Sequence, residues 1–184
     1  LMRNMYLAMI GDKFLNDVKM KGLSRPIDMR RNWKWQEYFI KSKVAHKVEG
    51  DRKLPKIKIV SKGGRVKKVR SVFLKDFGTH LKKIGTKPHP GMVITLKHLK
   101  SNGKISQHSV VVGEVNGSEI LTIYSPEGKK FSGMGGKRGS GMGIVKKGSI
   151  AALGFKGYWV DFFVDSNSYL AKMGVGAIEL ASSR

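Results

Sequence analysis

The sequence predicts an α+β domain, with helices first and an antiparallel sheet after them. Three observations carry that prediction. Between Pro90 and Ile123 three β-rich runs follow one another: Val93, Ile94 and Leu96; Val110, Val111, Val112 and Val115; Ile120, Leu121 and Ile123. Between the second and third stands Asn116-Gly117, a dipeptide that supplies positive φ at both centres of a tight hairpin turn. Upstream, Met2, Tyr6, Ile10, Phe14 and Val18 recur every fourth residue, as on one face of an amphipathic helix. A chain of 184 residues is one domain with at most an extension, and its length is ample for a core.

Taken in order, residues 1–24 form that amphipathic helix, ending near Gly22. Packing on the core as a docking arm is its expected role, and membrane contact is the alternative. The segment lacks the small-residue cleavage pattern of a secretory signal. Ser24-Arg25-Pro26 breaks the pattern, and the main domain spans 25–165. Asp28 can cap a second helix running through Arg30, Trp33, Glu37 and Ile40. Trp33, Trp35, Tyr38 and Phe39 are expected to anchor the core, with stacking on bases or sugars as the other use of such rings. Residues 41–74 read as a basic insertion. Within it Leu54–Val60 and Arg65–Leu74 alternate apolar and basic residues around Gly63-Gly64, a hairpin with one basic face. Lys75–Ile84 is a short helix or turn with Gly78 inside it. Gly85 to Gly91 is a rigid loop, because prolines fix φ and bar helix. Gly157–Val164 is a closing strand, and residues 166–184 are a short helix and a small-residue tail.

Charge narrows the function classes. The formal net charge is +23, from 36 basic and 13 acidic residues. That exceeds what solubility requires and implies an anionic partner: nucleic acid, an acidic wall polymer or surface, or an acidic protein neighbour. Between Lys41 and Arg70, twelve Lys and Arg meet only Glu49 and Asp51. The candidate anion-binding residues are Lys56, Lys58, Lys62, Arg65, Lys67, Lys68 and Arg70 on the hairpin. Lys129, Lys130, Lys137 and Arg138 join them from the glycine-rich stretch 128–148. That stretch matches neither a Walker A loop nor a dinucleotide fingerprint, though backbone amides beside cations can cradle an anion. The absence of cysteine excludes disulfides, zinc-thiolate sites and a cysteine nucleophile of the chain's own. His46, His80, His89, His98 and His108 lack metal-ligand spacing, so neither a metal nor a cofactor is expected. No apolar run reaches the ~20 residues of a transmembrane helix.

One ordered pattern goes further. Pro90-Gly91-Met92-Val93, then His108-Ser109-Val110-Val111-Val112, Asn116-Gly117, Thr122-Ile123 and Leu153-Gly154-Phe155 resembles the CHAP-type cysteine amidases and endopeptidases. These are papain-like cell-wall hydrolases common in phage lysins and tails. Ser71 to Thr79 is similar to the family's short helix and loop before its meander. Trp35-Gln36-Glu37-Tyr38-Phe39 fits the frame in which the family carries W-C-x-x-F at the start of its central helix. The resemblance covers roughly residues 25–165. It implies a papain-like fold: N-terminal helices, then an antiparallel meander forming a small half-barrel.

It also implies a degenerate site. Gln36 stands where the family has its cysteine and His108 where it has its base, and an amide cannot form the acyl-enzyme a thiolate forms. The expected function is therefore a non-catalytic structural component of a virion, such as a phage tail, baseplate or internal protein. Its partners would be other subunits of the assembly together with nucleic acid or an anionic wall polymer. A ribosomal or other nucleic-acid-binding structural protein is the alternative. A peptidoglycan hydrolase with a non-cysteine site is a third.

Overall fold

In a computed structural model, the described residues are Tyr6, 11–22, 32–125, 143–146 and 157–174. Four helices are seen there: α1 (Asp12–Met20), α2 (Asn32–Lys41), α3 (Phe77–Lys83, after a 3₁₀ turn at Leu74–Asp76) and α4 (Ser166–Lys172). The strands are β1 (Ala45–Lys47), β2 (Lys56–Val60), β3 (Val66–Arg70), β4 (Val93–Leu99), β5 (Ile105–Val112), β6 (Val115–Asn116), β7 (Glu119–Ile120), β8 (Thr122–Ser125), β9 (Gly143–Lys146) and β10 (Trp159–Val164). Six of them form one sheet in the order β1-β10-β4-β5-β8-β9, antiparallel throughout. Two small ribbons, β2-β3 and β6-β7, stand outside it. The predicted α+β class is what the chain adopts, with an open sheet and not a closed barrel.

The alternation of side chains across a strand divides the core in two. On one face Val93, Val111, Phe162 and Val164 meet Tyr6, Phe14, Val18, Trp35, Tyr38, Phe39 and Tyr169 from the helical layer. On the other, Ile94, Leu96, Val110, Val112 and Phe163 meet Leu74, Phe77 and Leu81 around α3. A smaller cluster of Ile59, Val69, Leu99 and Trp159 seats the β2-β3 ribbon. Every residue of β10 is buried. The run Gly157–Val164, read as a closing strand, is therefore a strand interior to the sheet, between β1 and β4.

Several local expectations need correction. The N-terminal helix is not continuous: Gly11 has φ +63° and stands as N-cap of α1, so the fourfold repeat crosses a break even though Tyr6, Phe14 and Val18 are all buried. The buried face of α2 is Trp35, Tyr38 and Phe39, whereas Trp33 and Ile40 are 47% and 49% exposed. The line through Trp33, Glu37 and Ile40 is thus the outer one. Asp28 lies outside the described residues. β1 belongs to the main sheet, so the basic insertion proper is the β2-β3 ribbon.

The Asn116-Gly117 hairpin exists, but with a different turn and a different place. Asn116 pairs with Glu119, which puts Gly117 and Ser118 at the centre. Only Gly117 has positive φ, +59°, the pattern of a type II′ turn with Gly at its first central position. The hairpin also stands outside the six-stranded sheet, as its own two-stranded ladder. A Cβ on Gly113 would lie 2.5 Å from Thr122 Oγ1, so the chain passes Thr122 closely there. Thr122 Oγ1 accepts from the Glu114 amide at 2.8 Å, just past the last β5–β8 pair, Val112–Ile123, and the Gly113 amide donates to the Thr122 carbonyl at 2.9 Å.

Candidate functional site

The β2-β3 ribbon forms the cationic surface that the sequence anticipates. Ile57, Ile59 and Val69 turn toward Leu99 and Trp159. The register pairs Lys56 with Arg70, Lys58 with Lys68 and Val60 with Val66, so these six share the opposite, outward face. Around the turn, Ser61 donates its amide to the Arg65 carbonyl at 2.9 Å, and the Arg65 amide donates to Ser61 Oγ at 3.1 Å. Lys56, Lys58, Lys62, Arg65, Lys67 and Lys68 are exposed, and no acidic side chain among the described residues pairs with any of them. Two of the expected anion ligands differ from this pattern. Arg70 donates to the Leu54 carbonyl at 2.8 Å and so ties down the preceding loop. Lys67 stands opposite Ile59, on the ribbon's inner register, and still reaches solvent. Lys129, Lys130, Lys137 and Arg138 lie outside the described residues.

The ribbon is held to the body at its tip. A Cβ on Gly63 would come 2.6 Å from the Ser101 carbonyl oxygen, so turn 61–65 lies against the β4-β5 turn. That second turn carries Lys100 and Lys104, both exposed, and is closed by Lys100 N–H to Lys104 O at 2.9 Å. Two basic turns are thereby fixed at one end of the cationic face.

A second polar constellation was not anticipated. Asp161 is the extra residue of a bulge, since Val160 pairs with Leu96 and Phe162 with Thr95. Its carbonyl accepts from the amides of Val48 and Glu49 at 2.9 and 3.0 Å. Its carboxylate is fully buried and occupied on both oxygens. Oδ1 accepts from Lys47 and meets Lys97 Nζ at 3.2 Å. Oδ2 accepts from Gln36 Nε2 at 2.6 Å and Gln107 Nε2 at 3.1 Å. Lys97 also donates to Glu49 Oε2 at 2.6 Å. Burial pushes the Asp161 carboxyl up, but the hydrogen bond and charge of Lys47, with Gln36 and Lys97, hold it below the usual carboxylate range. Burial pulls Lys97 down, and Glu49 and Asp161 outweigh it and raise the ammonium. A carboxylate offers about four lone-pair directions, and all four are used here. Chemically the cluster is a satisfied tie between α2, β1, β4, β5 and β10. The one sequence signal for it was a carboxylate inside the run Trp159–Val164, since a buried charge must be paired.

Gln36 and His108 are not brought together. Gln36 sits one turn inside α2 and shares Asp161 with Gln107. His108 pairs with Leu96 and alternates with Gln107 along β5. Its side chain therefore belongs to the Leu96 and Val110 face, across the sheet from Gln36. Tyr38 donates to Asp17 Oδ2 at 2.5 Å and lies 2.5 Å from the Tyr169 hydroxyl. Burial pushes the Tyr169 hydroxyl up to about 12 and raises those of Tyr6 and Tyr38 further. Burial also lowers His80, against the opposing charge of Asp51; His80 lines a cavity of about 390 Å³ with His46, Ile84 and Phe163. Among the described residues no three His, Asp or Glu converge on a metal position, and no helix is long and apolar enough to cross a membrane. Comparisons of the chain with protein-family models, with curated proteins and with solved structures find no match.

Proposed function

We propose that this chain is a non-catalytic, polyanion-binding component of a larger assembly, with nucleic acid as the polymer. The observation that carries the reading is the ribbon: exposed cations on one face, no acidic partner among the described residues, and an apolar inner face that fixes them to the body. Counterion release makes such a surface favourable for phosphate chains. The resemblance to wall hydrolases makes a virion the assembly to which the sequence points. The lack of cysteine supports a binding role, as does a Gln36 amide committed to Asp161.

The test compares the protein with a Lys56→Gln, Lys58→Gln, Lys68→Gln variant in nucleic-acid titrations across salt concentration. The expected log–log slope is steep, and the variant's slope is smaller by about 2–3, at ~0.7–0.9 per phosphate contact. A flat salt response overturns the reading. So does turnover of peptidoglycan by the purified protein that is lost in His108→Ala.

A further inference from the structure

The composition of the ribbon's outer face narrows the polymer, on the premise that this face binds polyanions. Lys58 pairs with Lys68, and the next pair toward the tip is Val60 with Val66. These valines are 57% and 54% exposed, although every other apolar residue of the ribbon faces Leu99 and Trp159. A surface meant only to track phosphates gains nothing from a solvated valine pair between lysines. A surface that lies against base edges does gain from it.

From this we infer that the β2-β3 ribbon enters the major groove of duplex DNA, with Val60 and Val66 against thymine methyl groups. The dimensions agree. The major groove is about 12 Å wide and admits a two-stranded ribbon. Paired strands lie ~4.8 Å apart, and five residues span ~17 Å, about five steps of a duplex that rises 3.4 Å per base pair. The ribbon also has its back supported by Trp159 and Leu99 and its tip locked by Gly63 against Ser101. It is therefore presented as a rigid insert. Lys62, Arg65, Lys100 and Lys104 surround the tip and reach the flanking phosphates. Double-stranded RNA is a poor fit, because the deep, narrow A-form groove shuts side chains out.

Three duplexes of one A·T-rich sequence decide the matter: DNA, DNA with deoxyuridine in place of thymidine, and RNA. The protein is expected to bind the DNA at least about tenfold more tightly than the RNA, in line with the exclusion of side chains from the A-form groove. Deoxyuridine is expected to weaken binding about fourfold per methyl lost from contact, from ~0.8 kcal/mol per buried methyl-sized group. Val60→Ser with Val66→Ser removes that sensitivity and leaves the salt slope unchanged. Both valines are exposed, so the fold should persist, which melting by circular dichroism checks. Equal affinity for RNA and DNA, or indifference of the unaltered protein to deoxyuridine, overturns groove entry while the polyanion reading stands. Binding to none of the three overturns both.

Discussion

Asp161 shows how one residue can organise the middle of this molecule. Its buried carboxylate accepts from Lys47, Gln36 and Gln107 and is ion-paired with Lys97. Removing one side of a buried ion pair typically costs about 3–5 kcal/mol. Asp161→Asn is therefore expected to lower unfolding free energy by an amount in that range, read from urea titration. The pH dependence follows from the depressed folded pKa. The contribution is complete above the unfolded aspartate value of about 3.9 and is lost as pH falls through the folded one. The difference between native protein and variant should accordingly shrink below about pH 4. A constant difference down to pH 2 would count against it. Gln36 and Asp161 also mark what sequence could and could not disclose. The charge within an apolar strand was visible, but its partners come from four other elements, and no local spacing brings them to notice.

Among the elements, those with strong periodicity or turn chemistry were legible: the hairpin at Gly63-Gly64, the runs at Val93 and Val110, and the helix after Asp165, which caps it by accepting from the Ser168 amide at 3.0 Å. What misled was competition from tertiary contacts. A fourfold apolar repeat predicted one helix, yet Gly11 interrupts it. The exposed Trp33 was expected inside because aromatic density does not say which face is buried. Packing of α3 gives a sharp test. A Cβ on Gly78 would fall 1.8 Å from the Ser118 carbonyl oxygen, at the tip of the β6-β7 hairpin. Gly→Ala inside a helix ordinarily gains up to about 1 kcal/mol. Here Gly78→Ala is expected to destabilise by about 1–3 kcal/mol, the usual cost of overpacking. A raised melting temperature would refute the close packing of α3 on that hairpin.

For the whole molecule, the α+β class and the basic ribbon were legible in composition and alternation. The strand order was not, because nothing local in Trp159–Val164 says that it lies between β1 and β4. A net charge of +23 repels itself in the compact state, so an anionic ligand should stabilise the fold beyond simple screening. Nucleic acid at a hundred times its dissociation constant is expected to add about 2.7 kcal/mol. The gain should be visible as a higher melting temperature and be much reduced in the Lys56, Lys58, Lys68 variant. An equal gain in that variant would place the binding surface elsewhere.

The interior position of β10 governs the timetable of assembly. Ala45 must wait for Val164 and Val93 for the same residue, so β1 has no place in the sheet until the strand near the end of this sequence has left the ribosome. Such distant pairings slow the search for the native state. A nascent chain stalled before Trp159 should therefore be readily digested along β1 and the inner side of β4, whereas β4 and β5 already pair with each other.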